Sequence, residues 1–492
     1  MAGLSKSRIL LHRQCPKRLW LSVNRPDLAE KDIAVAIRLA AGNTVGEVAR
    51  GLHPGGILIE SLEPKAALVA TAEALAGKKR RPVFEAALAF GGVLVRPDLL
   101  FPIRGGYRLV EVKSSTKVKD YHLVDAAIQS CVANMAGLTI KKVEIAHIDN
   151  TFVYPGRGKY EGLFVHVDVS RKVRSLEKEV PGWVRAAMET LIGLEPVTIP
   201  GGQCTDPFPC PFMAYCVPAI DEEVFPPEIL PYPNGKALAS KLRTMGHSDL
   251  RKVPKALITG AVHQRVWRVT KSGKPELDSE AGKTLKALGY PRYYLDFETI
   301  DFAVPIWTGT RPYRQIPFQW SCHIERKNGA IESKGFLAKD ADDPRRAFAE
   351  SLIKALAVKG VVFVYNAPFE GGRLKELAEE FFDLAPRLDA IRNRFVDLLP
   401  ITRKHYYHRD MRGSWSLKAV LPTIAPELAY DDLDVADGGM AQEAFLEILH
   451  PETPSARKSE LRQALLAYCE RDTWALVRMD HFFSRKKTKE SR

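Results

Sequence analysis

The sequence predicts an α/β protein of two α/β halves joined by a mostly helical stretch. Length is the first reason: 492 residues exceed what a single core usually organises. Short apolar strand-like runs alternate with helical periodicity twice along the chain, before about residue 195 and again after residue 288. Between them lies a proline-broken, basic segment.

Taken in order, "DIAVAIRLAAGNTVGEVARGL" has the period of a helix, and "GGVLVRPDLLF", "GYRLVEVKSS" and "KVEIAHID" read as strands. "DAAIQSCVANMAGL" is a helix between the last two. A cysteine-rich loop, "GGQCTDPFPCPFMAYC", is followed by the connector "VFPPEILPYPNG" and a polar helical region at 236–285. The second half reads as strand "RYYLDFETI", strand "FQWSCHIE", helix "DPRRAFAESLIKALAV", strand "GVVFVYN", helix "GGRLKELAEEFF" and closing helix "SELRQALLAYCERDTWALVRMDHFF". The boundaries expected are 1–220, 221–287 for the linking subdomain, and 288–492.

Composition narrows the class. Hydrophobic residues at 46% and charged residues at 27% are ordinary globular usage. No run has the length of a signal-peptide core or a spanning helix, so a cytoplasmic protein with no membrane partner is expected. A net charge of +13 favours a polyanionic partner, nucleic acid first. Seven cysteines in a chain without an export signal argue against a disulfide framework. Cys131, Cys322 and Cys469 lie singly in periodic segments and read as core.

The acids carry the chemistry. In "YYLDFETID", Asp296 and Glu298 stand at i and i+2 of a strand and share a face, with Phe297 on the other. Two acids on one face repel unless a cation lies between them, and Mg²⁺ or Mn²⁺ suits carboxylate oxygens. Glu370 follows a strand at a helix start in "NAPFE", and "YCERD" sets Tyr468 and Asp472 on one helix face. Asp397 in "RFVDLLP" is a reserve acid whose simpler role is at a helix end or loop. This pattern resembles the DnaQ-like (DEDD) 3′–5′ exonucleases of the ribonuclease H-like superfamily, with Glu370 standing where an aspartate is usual. The resemblance implies Asp296, Glu298, Glu370 and Asp472 as ligands of two metal ions for phosphodiester hydrolysis, with Tyr468 orienting water.

A related grammar appears in "RPDLLFPIRGGYRLVEVKSS". Asp98 ends a strand-like run, Gly105 and Gly106 suggest a hairpin, and Glu111 and Lys113 share a face of the returning strand. Acids beside a lysine suit metal binding and charge stabilisation. With Gln129 in the following helix and Glu47 in an earlier one, the set resembles the RecB-like PD-(D/E)XK nucleases. The resemblance implies Asp98, Glu111, Lys113 and Gln129 as the catalytic set, with Glu47, Asp98 and Glu111 as metal ligands. Ala133 and Gly46 occupy positions where that family often has tyrosine and histidine.

Cys204, Cys210 and Cys216 supply three thiols, and Cys15 in "HRQCPKRLW" is the candidate fourth. Four thiolates suit zinc or an iron–sulfur cluster. A knuckle completed by histidine, or a proline-braced loop with incidental thiols, is the alternative. One N-terminal cysteine and three beyond the core resemble the iron–sulfur RecB-family nucleases, CRISPR-associated ones included. The resemblance implies a structural [4Fe–4S] cluster, with zinc as the alternative. The whole chain resembles a bacterial family that fuses such a nuclease to a DnaQ-like exonuclease, "LSKSRILLHRQCPKRLW", "YYLDFETID" and "SWSLKAVLP" being the most specific stretches.

In "RKHYYHRDMRGSWSLK", Arg403, Lys404, Arg409, Arg412 and Lys418 interleave with Tyr406, Tyr407 and Trp415. Cations neutralise phosphates and aromatic faces stack bases, which suits a single-strand channel. A solvated basic loop with aromatics anchored in the core fits the same pattern. The function expected is a dual-site, metal-dependent DNA nuclease in repair or defence, acting on single-stranded DNA or free ends with partner proteins of those pathways. The alternatives are a nucleic-acid-binding adaptor with degenerate sites, and a ribonuclease.

Overall fold

The computed structural model describes residues 4–30, 33–217, 225–428, 430 and 433–485. Among them the chain is mixed α/β, with eighteen α-helices and four sheets. It divides into two compact units, Met1–Ala219 with Asp301–Arg314, and Ile220–Ile300 with Gln315–Arg492.

The first unit is built on a six-stranded sheet whose spatial order follows the chain: Ile57–Leu58, Val83–Phe84, Leu99–Ile103, Gly106–Lys113, Ile140–Ile148 and Phe164–Asp168. Leu99–Ile103 and Gly106–Lys113 form the expected hairpin, with Gly105 at φ +77°. Gly106 is needed for a different reason: a Cβ there would stand 2.2 Å from the Thr139 carbonyl oxygen. The helix Asp120–Met135 buries one long face against this sheet, where Ala126, Ala127, Ile128 and Val132 meet Leu100, Leu109, Val143 and Ile145. Its small residues let the helix approach closely enough to bring polar side chains to the sheet.

In the second unit, five strands lie in the order Ile331–Leu337, Ile316–Glu325, Arg292–Ile300, Val361–Val364 and Phe395–Asp397. The first three pair antiparallel and the last three parallel. Strand Arg292–Ile300 is central, which explains its apolar, aromatic sequence. Tyr293, Leu295 and Phe297 face helices Arg345–Ala355 and Ala367–Glu380 in one core layer. The other face meets the closing helix Ser455–Ser484: Tyr294 donates to Asp480 Oδ2 at 2.7 Å, and neighbouring Gln319 donates to the Leu465 carbonyl at 2.7 Å.

Two domain boundaries differ from those expected. The stretch anticipated as a linking subdomain is part of the second unit, because Leu242, Val266, Val269 and Leu285 share a core with Phe363, Leu398, Tyr406 and Leu476. Residues 301–314 belong to the first unit, where Tyr154 N–H donates to the Thr310 carbonyl and Ala303 and Val304 pack with Val45 and Leu163. No helix of the described residues is long and apolar enough to cross a membrane. Most of the basic tail, 486–492, lies outside the described residues.

Candidate active sites

The second unit gathers the acids of "YYLDFETID", "NAPFE" and "YCERD" into one pocket. Asp296 pairs opposite Ser321 and Glu298 opposite Gln319, and the register shifts between Glu298 and Thr299. Such an irregularity re-aims side chains at the end of a strand. Glu370 enters from the first turn of helix Ala367–Glu380, and Asp472 and Tyr468 from the closing helix; all three are buried. Burial, with Asp472 nearby, pushes the Asp296 carboxyl well above its usual range. Glu298 is raised by burial and by both of those acids, and Glu370 by burial and Asp296. Asp472 is raised to about 6 by burial, which its hydrogen bond from Tyr430 and the nearby Lys418 oppose. Glu370 Oε2 is buried without a hydrogen-bond partner. Such a pocket disfavours charge on every acid until a cation enters.

Asp397, the reserve acid, has structural work. It accepts from Leu399 N as the N-cap of its own helix and from Asn366 N and Ala367 N at the start of the helix that carries Glu370. Three further groups at this pocket escaped the sequence reading. Tyr430 donates to Asp472 Oδ1, Asp437 caps the helix that begins beside Glu298, and the Cys469 sulfur lies within 4.8 Å of a carboxylate oxygen of both Asp296 and Glu298. Cys469 was read as core and is buried, yet it stands three residues before Asp472 on the same helix, a spacing that carries the signal.

The "RKHYYHRDMRGSWSLK" segment divides. Tyr406, Tyr407 and Trp415 are core residues at 2%, 0% and 6% exposure, so the expected base stacking is corrected: their faces are packed against protein. Trp415 Nε1 donates to the Tyr406 carbonyl, and Tyr407 OH accepts from Gly413 N. Arg403, Lys404, Arg409 and Arg412 are exposed. Lys418 turns inward, its ammonium 5.4 Å from the Tyr430 ring and 5.3 Å from the Tyr468 ring.

In the first unit, Asp98, Glu111, Lys113 and Gln129 converge. Asp98 Oδ2 accepts from Val112 N at 2.6 Å, which ties it to the strand carrying Glu111 and Lys113. Gln129 Nε2 donates to Glu111 Oε2, and Lys113 Nζ bridges Glu111 Oε1 at 2.8 Å and Asp125 Oδ2 at 2.5 Å. Asp98 immediately precedes the strand Leu99–Ile103 instead of ending one. Lys6 and Asp125 are additional members: Lys6 Nζ lies 2.6 Å from Glu111 Oε1 and 3.1 Å from Asp125 Oδ1. Asp125 lies four residues before Gln129 on one helix face, so its pairing was legible; Lys6 comes from a distant helix.

Glu111 is raised to about 7 by burial and by the neighbouring Asp125 and Asp98. Burial opposes charge on Asp125, but Lys6 and Lys113 hold it well below the usual carboxylate range. Glu47 is not in this cluster. It is exposed on its helix, and Glu85, raised by burial and near enough to raise Asp98 in turn, is the additional acid on this side.

Cys15, Cys204, Cys210 and Cys216 line one small cavity with Lys17 and Arg18 at its wall. The segments are latched independently of any metal: Gln14 Nε2 donates to the carbonyls of Gln203 and Phe208, and Cys15 begins the helix Pro16–Asn24. Among the described residues, converging trios of metal-type donors within 4.8 Å do not include these thiols. Tetrahedral zinc, with Zn–S near 2.3 Å, would draw its sulfurs to about 3.8 Å. The four thiols share one cavity, a donor set of the type that holds zinc or an iron–sulfur cluster.

Comparison with known proteins adds a family match and distant relatives. A family model described as a domain of unknown function, DUF2779, matches residues 293–416, which hold Asp296, Glu298 and Glu370. An uncharacterized protein of Mycoplasma pneumoniae is 30% identical over 39% of this chain and 32% of its own length. One of Ureaplasma parvum is 23% identical over 45% of this chain and 35% of its own. The chain thus spans about a third of the curated relatives it matches, and the strand with Asp296 and Glu298, the helix with Glu370 and the basic segment as far as Ser416 fall within the stretch similar to that family model.

Proposed function

We propose that the protein is a metal-dependent DNA nuclease of the cytoplasm, with a DnaQ-like 3′–5′ exonuclease site in the second unit and a RecB-like PD-(D/E)XK site in the first. The observation that carries the reading is the pocket of Asp296, Glu298, Glu370 and Asp472, four buried or nearly buried acids whose charges oppose one another. An orphaned Glu370 oxygen and an all-carboxylate set fit Mg²⁺ or Mn²⁺. Bound there, these ions would supply a hydroxide from coordinated water and stabilise the leaving 3′ oxygen. Asp296, Glu298, Glu370 and Asp472 would hold them. Tyr430 fixes one Asp472 oxygen, and Tyr468, whose phenol burial and Asp472 hold protonated, is a donor placed to orient water. Exposed Arg403, Lys404, Arg409 and Arg412 would carry DNA phosphates without base stacking.

In the first unit, Asp98, Glu111 and Lys113 would form the hydrolytic set, with Asp125 a third acid beside them. Four cysteines lining one cavity support a structural [4Fe–4S] cluster, with zinc as the alternative. A second reading has a specific basis: Lys6 and Lys113 already neutralise Glu111 and Asp125, which favours a first site that binds nucleic acid without cutting it. Both readings are tested with single-stranded DNA labelled at either end, in Mg²⁺ or Mn²⁺, comparing the wild type with Lys113→Ala and Asp296→Ala. Two cutting sites give two different lost product ladders. Loss with Asp296→Ala alone favours the second reading, binding without cleavage by the wild type favours an adaptor, and a parallel RNA substrate tests the ribonuclease alternative.

A further inference from the structure

Cys469 is the donor in the second pocket that phosphodiester hydrolysis does not use. Its sulfur and one carboxylate oxygen each from Asp296 and Glu298 lie within 4.8 Å of one another. The three come from two elements, the central strand and the closing helix, which the packed sheet face holds together. Glu370 stands by Asp296, 1% exposed and with Oε2 unpartnered. Mg²⁺ gains nothing from sulfur, whereas Zn²⁺ and Cd²⁺ gain a strong bond from a thiolate.

We propose that Asp296, Glu298 and Cys469 form a site for a soft divalent cation of the zinc and cadmium class, which competes with Mg²⁺ for the two shared carboxylates and so inhibits this pocket. On binding, the S–H bond is exchanged for a metal–sulfur bond and the proton leaves to solvent. Two carboxylates and a thiolate leave a fourth position, which Glu370 or water fills. The inference rests on reading the pocket as a metal centre, but it is measured without cleavage.

The full-length protein, with its four-cysteine site in the state in which it is isolated, is titrated with Cd²⁺ while thiolate-to-metal charge-transfer absorption is followed in the ultraviolet. Wild type and Cys322→Ala are expected to show one equivalent more of this absorption than Cys469→Ser. Asp296→Asn, which keeps the thiol, is expected to lose the same increment, and it decides the matter should Cys469→Ser fold poorly. Equal absorption in the wild type and Cys469→Ser, or an increment retained in Asp296→Asn, overturns the proposal. A cadmium increment without cleavage by any protein overturns the nuclease reading alone; cleavage with no increment overturns this inference alone.

Discussion

Asp397 shows how a single side chain serves a site without entering it. It accepts three backbone N–H groups, two of them at the start of the helix that presents Glu370. Replacing a capping aspartate by alanine typically costs about 1 kcal/mol, up to about 2. Asp397→Ala is expected to lower the unfolding free energy by that amount while Asp397→Asn recovers part of it, as denaturant titration would show. His323 gives a pH signature of its own. Burial lowers its pKa to about 4 against the nearby Glu470, 3.9 Å away, and its Nδ1 pairs with Thr473 Oγ1. The unfolded chain then binds the proton more readily, so stability is intact above about pH 6.5 and falls as pH drops toward 4, by about 2 kcal/mol at pH 5. The stability difference between wild type and His323→Gln should change by that amount between pH 7 and pH 5, a comparison that cancels the opposite contribution of the raised carboxyls. The helix-end role of Asp397 was legible, since Leu399 is two residues on, but its bonds to Asn366 and Ala367 and the His323 pairing with Thr473 were not, because they run to elements far away in the chain.

At the level of elements, the hairpin and the closing helix carry different demands. The turn at Gly105 and Gly106 brings the strand of Glu111 and Lys113 beside Asp98, which accepts from Val112 N, and a side chain on Gly106 would strike the Thr139 carbonyl. Gly106→Ala is expected to destabilise the first unit by about 1–3 kcal/mol, the range for forced overpacking. It should also reduce activity assigned to Lys113 while sparing that assigned to Asp296, as product ladders from end-labelled DNA would reveal. The alternation of the Arg292–Ile300 strand was legible from sequence: Phe297 packs at 5.0 Å on Phe348 in one layer, while Asp296 and Glu298 share the other. The basic segment was legible only in part. Arg403, Lys404, Arg409 and Arg412 are exposed as expected, but Lys418 turns inward and Tyr406 and Tyr407 are both buried as part of a short strand paired with Glu276–Leu277. Aromatic residues between cations look alike in sequence whether they stack on a base or on a neighbouring helix.

Across the whole molecule, each unit owns its core, and in the first Cys15 meets Cys204, Cys210 and Cys216 at one cavity, where the proposed cluster would link them. A link closing so long a loop constrains the unfolded chain by several kcal/mol in simple entropic treatments. Cys210→Ala is therefore expected to lower the unfolding temperature of the first unit and leave that of the second unchanged, which calorimetry of the full chain would resolve as one shifted transition. By itself the sequence determined the local pairings: Asp296 with Glu298, Glu111 with Lys113, and Tyr468 with Asp472. Strand and helix periods put these residues on one face whatever surrounds them. Tertiary structure alone decided that Lys6 would reach Glu111, that Tyr430 would hold Asp472, that Cys469 would join the acids, and that Glu47 would stay outside. Those outcomes depend on which faces of sequence-distant elements bury apolar area against each other, a choice made by the cooperative packing of the core and written in no local period.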